Sequence, residues 1–172
     1  MIEFDEIALK KMVKEYLIDR VYYRINLVAG RWGISNAEIS KQIGWDPAGY
    51  NQKYSRSNDL RITTFIKIYT ALEELISKRE KQSGCADIGL EKIRLDEFIT
   101  DEEIDIGHLF NHISAAAEDR EEFLEDSRHI KAFLQMRSFV LLGQRNKKFN
   151  EREVAVYAKY YLQVQQGKRG EL

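Results

Sequence analysis

His108 and His112 stand four residues apart, a spacing that puts two imidazoles on one face of a helix and could begin a metal site. No third ligand follows at a useful spacing, and Asp105 and Glu118 read as solvated acids, so no metal or other cofactor is expected. Cys85, beside Gly84, has no histidine placed by sequence to activate its thiol. No phosphate-cradling glycine loop and no interpretable acid–base pair occurs, so an enzyme is not expected. The spacing that does carry chemistry runs from Ser35 to Leu72. It reads as a short helix, a glycine turn, a second short helix, a polar loop and a longer helix. That order is the signature of a helix-turn-helix DNA-binding module, whose second helix enters the major groove.

Each part of that module makes a local demand. Ser35-Asn36-Ala37-Glu38 is a capping box: the Ser35 hydroxyl accepts from the Glu38 amide while the Glu38 carboxylate returns to the Ser35 amide. The helix it opens carries Ile39 and Ile43 inward. Two short helices that cross closely need a small residue at the contact, and Ser40 sits there. Four residues later the chain needs a left-handed turn, which Gly44 adopts freely. A Gly44→Val change would add backbone strain and is expected to press its side chain on the helix crossing. Asp46 then serves as N-cap with Pro47 in the first turn, opening a helix over about Pro47 to Arg56 with Trp45 and Tyr50 inward. Ser55-Arg56-Ser57-Asn58-Asp59 reads as loop by composition. Thr63 to Lys78 follows as a helix with the stripe Phe65, Ile68, Leu72, Leu75 and Ile76.

On these residues the segment from about Val21 to Ile76 resembles the phage-repressor/Cro-like (XRE-type) helix-turn-helix family. Ile62, Phe65, Ile68, Ala71 and Leu72 align without a gap to the apolar core of that family's later helices. The resemblance implies a lambda-repressor-like fold and double-stranded DNA as partner. It implies that Pro47, Ala48, Gly49, Asn51 and Gln52 face the groove, and that Asn36, Lys41, Ser55, Arg56, Ser57 and Asn58 lie near phosphates. The amides of Asn51 and Gln52 suit the N6/N7 edge of adenine, and Ala48 can meet a thymine methyl. The chain departs from the family at Lys53, where an aliphatic residue is usual. Either its stem lies along apolar surface or Tyr54 takes the buried role. Tyr54-Ser55-Arg56 also replaces the family's acid–turn–glycine, and Pro47 and Gly49 offer the groove no hydrogen-bonding side chain.

The elements around this module are helical as well. One proline interrupts 172 residues, and apolar residues recur at three- and four-residue steps almost throughout. Ile7, Met12 or Val13, Tyr16, Leu17, Val21, Ile25 and Val28 predict one long helix, or two joined near Asp19, ending near Gly30–Gly33. Further helices are expected over Glu91–Phe98, Asp101–Ala117, Glu118–Gly143, either whole or broken near Asp126–Ser127, and Glu151–Gln165, the last opened by an Asn150–Glu153 capping pair. The expected organisation is all-α: a helix-turn-helix domain over 1–80, a linker over 81–90 and a helical region over 91–172.

Charge divides the same way. Residues 1–85 carry a small positive excess and residues 86–172 a small negative one, within a formal total of -1. Asp96 to Asp126 holds twelve acids and one base, Arg120, and Arg128 to Arg169 then turns strongly basic. The plain reading is two solvated helix faces of opposite sign. Ala132, Phe133, Met136, Phe139, Val140 and Leu142, with Val154, Tyr157, Tyr160, Tyr161 and Val164, are read either as core or as a homodimer interface. A single cysteine allows no internal disulfide, the N-terminus is acidic, and no run reaches the roughly 18 apolar residues of a membrane span, so a cytoplasmic protein is expected. The function expected is sequence-specific transcriptional regulation by repression, as a dimer on half-sites ~34 Å apart. The alternative is a helical interaction adaptor, or an antitoxin-like partner, whose acidic stretch binds a basic protein. The sequence names no small-molecule effector.

Overall fold

The structure is a computed structural model that describes residues 2–56, 60–84 and 133–169, with side chains over 4–52, 60–84 and 133–166. Cys85, His108, His112, the acidic stretch 96–126, Ser57, Asn58, Ala132 and the helices expected between 91 and 132 lie outside the described residues. Among the described residues every regular element is a helix: α1 Ile2–Arg31, α2 Asn36–Ile43, α3 Gly49–Arg56, α4 Ile62–Ser83, α5 Arg137–Arg145 and α6 Glu151–Arg169. Among them no helix is long and apolar enough to cross a membrane.

Two compact units interleave in sequence: Met1–Leu17 with Thr100–Leu172, and Ile18–Ile99. The division falls inside α1, which is one continuous helix of 30 residues. Its buried positions show why both units draw on it. Ala8, Leu9, Met12, Val13 and Tyr16 are buried in the first half, and Val21, Tyr22, Ile25 and Ala29 in the second. From Tyr16 the next buried side chain comes five residues on, a step that a single helix face does not keep. Ile7, expected on the apolar stripe, is 60% exposed, because Ala8 and Leu9 take the buried positions of that turn.

In the first unit α6 lies along the start of α1. Phe133, Met136, Val140, Phe149, Val156, Tyr157, Tyr160 and Val164 form one core with Ala8, Leu9, Met12, Val13 and Tyr16. The Phe133 and Tyr157 rings stack at 4.7 Å, and the Tyr157 hydroxyl donates to the Phe133 carbonyl at 2.5 Å. Burial, chiefly, pushes the Tyr157 phenol well above its ordinary pKa. Phe139 meets Tyr16 at 5.4 Å and Phe149 at 5.7 Å. Of the residues weighed as a dimer interface, Tyr157, Tyr160 and Val164 are therefore core, while Leu142 is exposed. Asn150 caps α6 as its spacing predicts: its amide donates to Glu153 Oε2 and its Oδ1 accepts from the Glu153 amide, each at 2.9 Å.

In the second unit α2, α3 and α4 pack with the end of α1. Ile34, Ile39, Tyr50, Phe65, Ile68, Ala71, Leu72 and Ile76 are buried with Val21, Tyr22, Ile25 and Ala29. Leu75 is half-buried. Ile62, aligned to a core position, is instead 75% exposed: it is the first residue of α4, ahead of the turn whose side chains reach the core.

Candidate nucleic-acid interface

The site begins where α1 ends. The Gly33 amide donates to the Gly30 carbonyl at 3.1 Å and the Ile34 amide to Ala29 at 2.8 Å, with Gly33 at φ 61. This is the paired closure of a Schellman turn. Ser35 then caps α2. Its amide donates to Glu38 Oε2 at 2.8 Å, and the Glu38 amide donates to its hydroxyl oxygen at 3.2 Å. The Ser35 amide and hydroxyl, with Arg79 behind them, hold the Glu38 carboxyl below its ordinary pKa.

α2 closes as α1 does. The Gly44 amide donates to Lys41 at 3.1 Å and the Trp45 amide to Ser40 at 2.8 Å, with Gly44 at φ 83. The left-handed turn is where the sequence puts it. A Cβ at Gly44 would meet nothing within 4 Å, so an alanine there costs backbone strain alone. The close approach lies five residues further on. A Cβ on Gly49 would stand 2.8 Å from the Trp45 Cβ, so Gly49 is needed for packing whatever it faces outside.

Ser40 does more than make room. It is fully buried, its hydroxyl donates to the Asn36 carbonyl at 2.9 Å, and its oxygen accepts from the Tyr50 amide at 3.0 Å. That amide belongs to the first turn of α3, where helix N–H groups have no partner within the helix. One hydroxyl thus ties the start of α3 to the start of α2. From the other side the Tyr50 hydroxyl donates to Asn26 Oδ1 of α1 at 3.0 Å, and its ring meets Tyr22 edge-on at 6.0 Å. Asn26 was not legible as a site residue, because its partner lies 24 positions away.

α3 opens at Gly49, two residues later than the Pro47 start expected, because the Gly49 amide bonds back to the Asp46 carbonyl at 2.7 Å in a tighter turn. It runs to Arg56, the end expected, and so takes in Ser55 and Arg56, which composition also assigns to the loop. Pro47, Ala48, Asn51 and Gln52 are exposed and Gly49 is half-buried. Lys41 is exposed on the last turn of α2, and Asp46 adds an exposed acid beside α3. The side chains of Lys53, Tyr54, Ser55 and Arg56 are not described.

Two expected roles meet in one contact. Asn36, aligned to a phosphate position, donates from Nδ2 to Asn51 Oδ1 at 2.7 Å. The Asn51 carbonyl keeps a second lone pair and its amide keeps both protons, so the bond orients the side chain without using it up. Behind α2 a polar seam fixes α4: Arg79 to Glu38 at 2.7 Å, Lys78 to Gln42 at 2.9 Å, and Gln42 to Glu74. Among the described residues no group of three or more histidine, cysteine or acidic side chains is placed to hold a metal ion. No family model matches the chain, and neither a curated protein nor a solved structure matches it.

Proposed function

We propose that α2 and α3 form a helix-turn-helix that binds double-stranded DNA, with α3 in the major groove, and that the protein regulates transcription as a repressor. One observation carries the reading. The inner side of α3 is pinned through Tyr50 to Ser40 and Asn26, while Asn51 and Gln52 stand exposed on it and Ala48 stands exposed just before it. A rigid helix with short amide side chains outside is what base reading requires. Asn51, oriented by Asn36, pairs with adenine, Gln52 reads a neighbouring base, and Ala48 meets a thymine methyl. Lys41 and Arg56 take phosphates. A helix of this length touches few base pairs, and each good contact is worth ~1–3 kcal/mol, so two copies on half-sites supply the selectivity.

The test is selection from a random duplex pool, followed by titration of the selected and a scrambled duplex. Gln52→Ala should lose roughly 1–3 kcal/mol on the selected duplex and little on the scrambled one. Equal losses on both remove Gln52 from base reading. If no duplex is enriched even at low salt, the adaptor reading replaces this one. It is favoured by Ile62 and Ile66, both exposed on one face of α4.

A further inference from the structure

The other unit carries a feature that α3 does not explain. Along the seam of α1 and α6 three carboxylates are drawn inward, each held by a lysine: Asp5 by Lys159 at 2.9 Å, Glu153 by Lys11 at 2.7 Å, and Glu15 by Lys148 at 2.8 Å. All three acids are buried. Against that stand seven exposed bases, Lys11, Lys14, Arg137, Arg145, Lys147, Arg152 and Lys159, and one exposed acid, Glu151, among the described side chains of residues 4–17 and 133–166. Among these described side chains the acids are the more buried and the bases the more exposed.

Two bases meet at Glu15, while Arg137, Arg152 and Lys159 lie elsewhere, against Tyr161, Phe4 and Asp5. Lys14 and Lys148 reach the same carboxylate, Glu15, at 3.9 and 2.8 Å, so one buried acid faces two ammonium groups. Lys148 also lies 5.6 Å from the Phe139 ring centroid and Lys11 lies 5.8 Å from that of Phe149, and those two rings are 5.7 Å apart. Arg145, the last residue of α5, and Lys147, in the turn after it, add two more.

Lys147 supplies the second, independent observation. The Lys147 amide donates to Gln144 at 3.1 Å and the Lys148 amide to Gly143 at 2.8 Å, the same paired closure that ends α1 and α2. At the equivalent left-handed position α1 uses Gly33 and α2 uses Gly44, whereas this turn holds Lys147 at φ 57. A lysine there strains the backbone where a glycine would not. Strain of this kind points to a use for the side chain.

We infer that the rim formed by Lys14, Arg145, Lys147 and Lys148 is a sequence-independent binding surface for the phosphate backbone of duplex DNA. It rests on the reading of α3 for the choice of nucleic acid as the polyanion. Lys14, Arg145 and Lys147 are exposed, and exposed ammonium and guanidinium groups suit a phosphate backbone. The rim adds affinity on every sequence and none of the discrimination.

The decisive variant is Lys147→Gly in the full chain. It relieves the strained turn, so Tm should rise by about 2–4 °C, while affinity for a scrambled duplex falls and the slope of log K against log salt drops by about one. Lys14→Gln, Arg145→Gln and Lys147→Gly together should weaken binding on the order of tenfold and lower the slope by nearly three, equally on selected and scrambled duplexes. Unchanged affinity and slope in the folded triple variant overturn the inference. So does binding of anionic vesicles or a poly-glutamate peptide that the triple variant loses while duplex binding stays intact. A loss in the triple variant with no effect of Gln52→Ala leaves the rim standing and removes α3. The reverse pattern keeps α3 and removes the rim.

Discussion

Ser40 and Phe133 are both fully buried, yet they organise their surroundings in different ways. Around Ser40 order comes from directed polar bonds over short stretches of chain: three residues for the Ser35–Glu38 box and ten for Ser40 to Tyr50. Around Phe133 order comes from ring packing, and the ion pairs that bound it join residues 142 and 154 positions apart. The first region suits a helix that must hold one orientation while its outer side stays open. The second has apolar area enough to hold the chain's beginning and end together, and its surface can then carry charge.

The largest test of that contrast is Phe133→Ala. A cavity beside Tyr157 should cost about 3–5 kcal/mol in urea unfolding. A loss near 1 kcal/mol would mean the aromatic cluster collapses around the gap. Ser40→Ala comes next, since it leaves the buried Tyr50 amide without its acceptor; about 1–3 kcal/mol should be lost. Ser40→Gly should do the same, because volume is not what the position supplies. If either variant is as stable as the parent, the crossing needs only a small side chain. Gly44→Ala should cost about 1–2 kcal/mol through strain in the left-handed turn, and Gly44→Asn should recover part of that. With open space at this Cβ, Gly44→Val should be little worse than Gly44→Ala. A much larger loss for valine would restore the steric account.

The smallest effect is on acid stability. Glu38 is held below its ordinary pKa of 4.5 by Ser35 and Arg79. In Glu153 burial works against ionisation, and Lys11 with the Asn150 amide outweighs it. A carboxyl depressed in the folded state stabilises the fold above its unfolded pKa and loses that contribution as pH falls through the folded value. Stability should therefore decline below about pH 4.5, and Glu38→Gln should flatten that decline. An unchanged acid limb in the glutamine variant would place the sensitivity elsewhere.

Several features follow from the order of residues alone. Ser35 with Glu38 and Asn150 with Glu153 cap their helices, Gly33 and Gly44 close theirs, and the α4 stripe of Phe65, Ile68, Leu72 and Ile76 is buried. Each is set within about four residues, where helix geometry leaves few choices. Tertiary packing decided what spans longer separations. It assigned residues 1–17 to the unit of 100–172, and put Tyr157, Tyr160 and Val164 in a core rather than at a surface. It left Ile7 and Ile62 outside despite their periodicity, and joined Asn36 to Asn51 and Asn26 to Tyr50. Periodicity says which side of a helix is apolar; it does not say which distant surface competes for that side, because burial depends on the area each alternative partner offers.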